Sequence, residues 1–182
     1  MKYLKLNLSG VLQYFSTDDA IALRKTYTTS LYPTSKAING LICSALGYKR
    51  NDPRSNELYK KLDFKYNIIS NPIILNDFQT IKPLKSQAYY MNKQNKSNKF
   101  TTVSGSQRDG QLIKNVQYIQ NAEFNVYIGS ESEDLLLEIY NAILNPVYSL
   151  FIGKRSCIPN KPIVTSFELF DKEDLKDVYN CA

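Results

Sequence analysis

The chain contains no histidine. That absence removes the commonest general base, the commonest metal ligand and every Ser/His or Cys/His nucleophile pair. Catalysis would have to rest on tyrosine, lysine or carboxylates. The cysteines are few: Cys43, Cys157 and Cys181 make an odd number with no CxxC spacing, which suggests neither a disulfide framework nor a zinc cluster. No apolar run approaches the ~20 residues that cross a bilayer, and Met1 to Leu8 alternates where a secretory segment would run apolar. The expectation is a cytoplasmic protein with free thiols, no membrane contact and no cofactor.

Cations, by contrast, are in excess. The 182 residues carry a formal charge of +6 and are 43% hydrophobic, the composition of a folded domain. Charge is concentrated: Tyr48 to Lys114 holds thirteen Lys or Arg against five Asp or Glu. The remainder is slightly acidic, with a tail from Glu168 to Asp177 that reads, like Asp18-Asp19, as solvated surface. The basic middle favours a polyanionic partner, although lysines also keep a protein soluble.

Periodicity supplies the elements. Leu4, Leu6 and Leu8 alternate as a half-buried strand ended by Gly10. Residues 16–32 read as a hydroxyl-rich loop carrying Arg24 and Lys25. Pro33 to Gly47 predicts a helix capped by Thr34 or Ser35, with Ile38, Leu41, Ile42, Ala45 and Leu46 on its apolar face. A short helix is expected over 56–61, and Leu62 to Ile69 alternates as a second strand. Residues 71–115 are polar and rich in Lys, Asn, Gln and Ser, with strand stubs at Ile73-Ile74-Leu75 and Phe100 to Val103. Ala122 to Ile128 predicts a strand, Ser130 and Glu133 a capping box for a helix over 132–144, and Ile163 to Phe170 a last strand. This order is that of an α+β, ferredoxin-like (RRM-like) fold with an antiparallel sheet and two main helices. One domain is expected: a palm over 1–70 and 116–182, and an insertion over about 71–115.

Three segments could carry function. The helix start at Thr34, Ser35 and Lys36 offers unpaired N–H groups to a phosphate, yet the same residues make an ordinary cap. In Gly153-Lys154-Arg155-Ser156 a glycine precedes two cations, which fits phosphate contact or a solvated basic turn. In the insertion, Lys82, Lys85, Lys93, Lys96, Lys99, Arg108 and Lys114 alternate with Tyr89, Tyr90 and Phe100. Such an arm could track a single strand, or be a soluble insertion without a packed core. Its excess of like charge predicts that the tip, about Tyr89 to Arg108, orders only with a partner.

Together the segments resemble the CasD-type subunit of type I-E Cascade CRISPR complexes. The matching pieces are Leu6 to Gln13, the run Tyr32 to Asp52 that contains Lys49 and Arg50, Asp77-Phe78-Gln79-Thr80, and Asn145 to Tyr148 through Gly153 to Cys157. They span nearly the whole chain in the family's order. The resemblance implies a palm with a long β-hairpin thumb inserted between its second and third strands. It also implies a non-catalytic subunit that binds the five-prime handle of the crRNA, caps the CasC backbone filament and adjoins the large CasA subunit. Target DNA would then be met only indirectly, through the complex. RNA contacts are expected from Gln13, Arg24, Lys25, Thr34, Ser35, Lys36, Lys49, Arg50, Gln79, Thr80, Lys85, Arg108, Gly153, Lys154, Arg155 and Ser156. The chain departs from the family in carrying Ser35 before Lys36 after Pro33-Thr34, in Gln79 where family members have histidine, and in ending soon after its acidic tail. Similar type I-C subunits cleave precursor guide RNA without metal through a Tyr/Lys/His set, which this chain cannot complete. A free-standing RNA-binding domain is the third reading.

Overall fold

A computed structural model describes residues 1–17, 26–81, 99–101, 107–109 and 112–181. Strand β1 (Lys2–Ser9) is an inner strand of the main sheet. Its Leu4, Leu6 and Leu8 are fully buried on one face, while Lys5 between them is exposed; each buried leucine contributes roughly 1.5–3 kcal/mol. A short strand β2 (Leu12–Gln13) and β3 (Thr26–Tyr27) precede helix α1 (Ser35–Ala45). Thr34 caps α1 by accepting from the Ala37 N–H, and Gly47 ends it at a positive φ of 77°. Helix α2 (Pro53–Lys60) has Pro53 at its first turn, and the Asp52 carboxylate accepts from the Arg54 N–H. Then come β4 (Asp63–Ser70), β5 (Ile73–Ile81), β6 (Lys99–Thr101), β7 (Gln107–Asp109), β8 (Leu112–Gln120) and β9 (Glu123–Ser130). Helix α3 (Glu133–Leu144), β10 (Leu169–Asp171) and β11 (Tyr179–Asn180) complete the described elements.

The main sheet has the order β10-β1-β9-β4-β11, antiparallel throughout. Phe124, Val126 and Ile128 of β9 join Leu4, Leu6 and Leu8 on the face that meets Ile38 and Ile42 of α1 and Leu136 and Ile139 of α3. A second sheet is centred on β8, which pairs with β5 along nine residues and on its other side with β2 and, in parallel, β3. Strands β6 and β7 pair with each other. The architecture is α+β with antiparallel sheets and three helices, as expected in its coarse form.

Four local expectations change. The insertion begins as a regular ladder: β5 and β8 extend the predicted stub at 73–75 to Ile81. The polar loop over 16–32 contains a strand, β3, and a bridge between Ser16 and Thr29. The α3 cap is Ser132, whose Oγ accepts from the Leu135 N–H, while Ser130 Oγ accepts from Ser132. The strand expected over 163–170 shortens to Leu169–Asp171, and a further strand, β11, follows it. Upstream of Leu169, Phe167 turns onto Tyr140 of α3 with centroids 5.3 Å apart, which breaks the alternation. The predicted contacts Arg24, Lys25 and Lys85, and the tip over 89–108 apart from 99–101 and 107–108, lie outside the described residues.

Candidate nucleic-acid interface

The Gly153 loop is built against the start of the second sheet. The Tyr14 N–H donates to Ile152 O at 3.0 Å, the Ile152 N–H to Cys157 O at 2.8 Å, and the Cys157 N–H to Lys154 O at 2.8 Å. Gly153 has φ 95°, and a Cβ there would sit 1.7 Å from the Tyr14 carbonyl oxygen. Only glycine fits, because both conformation and space forbid a side chain.

Lys154 departs from the expectation. Its ammonium sits 3.6 Å from the Tyr14 ring centroid, 5.0 Å from Tyr27 and 5.4 Å from Tyr118. Burial lowers its pKa, and the nearby Lys114 pushes the same way. The half-buried cation ties the loop to three segments of the second sheet, an arrangement of mutual cation–π attraction. Lys114 reaches the same cluster, 5.7 Å from Tyr27, and stands opposite Gln79 in the β5–β8 ladder. Gln79 donates to Asp77 Oδ2 at 2.5 Å, and Thr80 is exposed beside it.

Gln13 faces inward. It is fully buried, and its amide donates to Ala122 O at 2.6 Å and Leu8 O at 3.4 Å. It clamps β2 to the main sheet. Thr34 and Ser35 are buried as well: Thr34 caps α1, and Ser35 Oγ hydrogen-bonds Tyr59 Oη at 2.8 Å. Their hydroxyls serve the local fold. Arg108 is placed by its backbone, opposite Phe100 in the β6–β7 pair; its side chain lies outside the described residues.

The fold brings Lys36, Lys49, Arg50, Gly153 and Arg155 together, while Ser156, Gln79 and Thr80 line neither concavity described next. One concavity of about 370 Å³ is lined by Lys36, Thr34 and Gly153, and a second by Lys49, Arg50 and Arg155. Ser44, Ser149 and Phe151 line both, so the two form one groove. Lys49, Arg50, Arg155 and Ser156 are exposed. Lys154 does not line the groove, which continues past Tyr48, Lys49 and Arg50 into a further concavity lined by Asp52. Sequence reading missed Ser149 and the tyrosine cluster; the tyrosines lie on separate strands, with no local spacing to join them. No three His, Cys, Asp or Glu side chains gather as metal ligands among the described residues, and no described helix is long and apolar enough to cross a membrane.

Sheet, helices and groove define the class: an α+β protein with a basic groove where the α1 N-terminus and the Gly153 loop meet. A family profile described as CRISPR-associated protein (Cas_Cas5) matches residues 3–180, and the chain belongs to that family. It is 24% identical over 170 residues to the CRISPR system Cascade subunit CasD of Escherichia coli strain K12, covering 88% of this chain and 69% of that one. A chain of a solved CRISPR RNA-guided surveillance complex superposes with a TM-score of 0.71 at 22% identity, covering 88% of this chain. A crystal structure of a Cas protein gives 0.58 at 19% identity over 96% of this chain. These two likenesses show the fold, and the present chain spans 61% and 65% of the two solved chains.

Proposed function

We propose that this chain is a non-catalytic, crRNA-binding subunit of a type I-E surveillance complex that grips the five-prime handle, caps a CasC filament and adjoins CasA. The observation that carries the reading is the groove. Cations from the α1 N-terminus, the α1–α2 connection and the Gly153 loop converge there. Exposed guanidinium forks of Arg50 and Arg155 suit phosphate oxygens. The resemblance to CasD supports the partners. A ferredoxin-like, RRM-like palm is supported by the order β10-β1-β9-β4, with helices following β1 and β9 on one face. The β5–β8 ladder is the base of the thumb in that reading. Replacing Lys49, Arg50 and Arg155 together with alanine is expected to weaken binding of handle RNA at least ~30-fold, about 2 kcal/mol, measured by fluorescence anisotropy. An unchanged affinity in the folded variant would remove the groove from the account.

One observation favours a second reading, a metal-independent endoribonuclease for precursor crRNA. Burial lowers the pKa of Lys154, which lies over the Tyr14 and Tyr27 rings, and a lysine that gives up its proton more readily suits a general base. Cognate repeat RNA incubated with the protein in chelator is expected to stay intact. Specific cleavage lost on Lys154→Met or Tyr27→Phe would establish the enzyme instead.

A further inference from the structure

Glycine in a helix interior is unfavourable relative to alanine, so a glycine held there calls for a reason. Close packing supplies one elsewhere: a Cβ built on Gly129 would meet the Tyr3 ring at 2.6 Å, and one on Gly47 would meet Val147 at 2.9 Å. Gly40 is different. It is exposed at the middle of α1, and a Cβ there meets nothing within 4 Å among the described residues. The fold leaves room for a side chain at this position and the sequence supplies none.

That room lies where the concavities join. Gly40 lines the one of about 370 Å³ beside Lys36 and Gly153, and also the further one, about 550 Å³, that Asp52 lines. One turn on, Ser44 lines both of these and the Arg155 concavity as well. Its hydroxyl folds back to donate to the Gly40 carbonyl at 2.9 Å, so this position also stays low. Gly40 and Ser44 thus make a saddle on α1 that connects three concavities.

The chemistry changes across the saddle. One side gathers Lys49, Arg50 and Arg155 with the exposed Tyr148. The other begins at Lys49 and Arg50 but ends in Asn51, Asp52, Ser55 and Asn56. There the Asp52 carboxylate caps α2 and is held by Arg54 at 2.7 Å, so no open helix terminus is offered to an anion. Tyr48 lines both sides, with Arg54 packed over its ring at 4.3 Å to the centroid.

We infer that an RNA strand crosses α1 on the saddle at Gly40 and Ser44, with phosphates toward Lys49, Arg50 and Arg155 and one base in the Asp52 concavity. Glycine lets a ligand lie directly on the helix backbone, where any side chain would hold it off. Ammonium and guanidinium groups suit phosphate oxygens, while amides and hydroxyls around an ion-paired carboxylate suit the uncharged edge of a base. The lining serves a base of any identity, as a stacking contact with Tyr48 would. This inference rests on the proposed handle groove and gives Gly40 the task of seating the strand.

The test compares two single-stranded probes, a uridine octamer and an octamer of the same ribose-phosphate backbone without bases, by anisotropy on the purified chain. Wild type is expected to bind the ordinary octamer at least about tenfold more tightly, the worth of one seated base. Gly40→Leu, which fills the saddle, is expected to weaken the ordinary octamer by about tenfold and to bring the two probes within about twofold. Gly40→Ala is expected to melt about 2 °C higher than wild type, because alanine favours the helix, and yet to bind the ordinary octamer about threefold more weakly. It decides the matter should Gly40→Leu fail to fold. Equal binding of the two probes by wild type would overturn the inference, as would wild-type affinity in folded Gly40→Leu or in Gly40→Ala. The alanine variant of Lys49, Arg50 and Arg155 separates the two levels. If it loses affinity while the Gly40 variants bind as wild type, only the saddle fails; if it also binds as wild type, the groove fails with it.

Discussion

The Lys154 ammonium, 3.6 Å from the Tyr14 ring centroid, has exchanged much of its water for three aromatic faces. Removing the charge but keeping the stem, as in Lys154→Met, is expected to destabilise the fold by about 1–2 kcal/mol through lost cation–π attraction. Handle affinity should change far less than in the Lys49, Arg50, Arg155 variant. Urea unfolding beside anisotropy checks both, and a stable Lys154→Met chain that no longer binds RNA would reverse the roles. Glu123 makes a pH-dependent contribution of the opposite kind. Hydrogen bonds from Lys161 first, then Asn7, hold its carboxyl below the ordinary 4.5. A depressed carboxylate contributes stability that is fully present above its unfolded value and is lost as pH falls through the folded one. Wild type should therefore lose more stability than Glu123→Gln between pH 6 and pH 3.5, by under ~1 kcal/mol because the pair is partly solvated. Parallel unfolding curves at the two pH values would contradict this.

Among the elements, β1, α1, β9 and α3 were legible because each buries one face and exposes another, so its period appears directly in the residue order. Strand β8 was not. Its Lys114, Asn115 and Gln117 look solvated in sequence, yet β8 is paired on both sides, and Val116, Tyr118 and Ile119 are all buried. The segment before β10 failed for the reverse reason. Ile163 and Val164 are buried, but the chain bends away after pairing Asn7 with Ile163 O at 2.7 Å. Burial also separates two apolar positions that look alike in sequence. Leu6→Ala, at 0% exposure, should cost about 2–5 kcal/mol. Phe78→Ser on β5, 65% exposed, should stay within about 0.5 kcal/mol. Urea midpoints for the two variants test that difference, and similar losses would mean that the β5 face is packed in solution.

Across the whole molecule, the charge excess pointed to a polyanion and the Gly-Lys-Arg-Ser loop to one wall of the site. The groove itself required the fold. Lys49 and Arg50 are about a hundred positions from Arg155, and only the packing of the α1–α2 connection beside the 149–157 segment sets them on one surface. Adjacent cations can also diverge: Lys154 turns to the tyrosines while Arg155 lines the groove, a choice made by the glycine turn and invisible in the residue order. The most direct test of the central claim is the salt dependence of handle-RNA affinity. Each phosphate contact on a single strand adds about 0.7 to the slope of log K against log salt. Replacing Lys49, Arg50 and Arg155 with alanine should therefore flatten the slope by about 2 relative to wild type, whereas an unchanged slope in the folded variant would show that the guide RNA is held elsewhere.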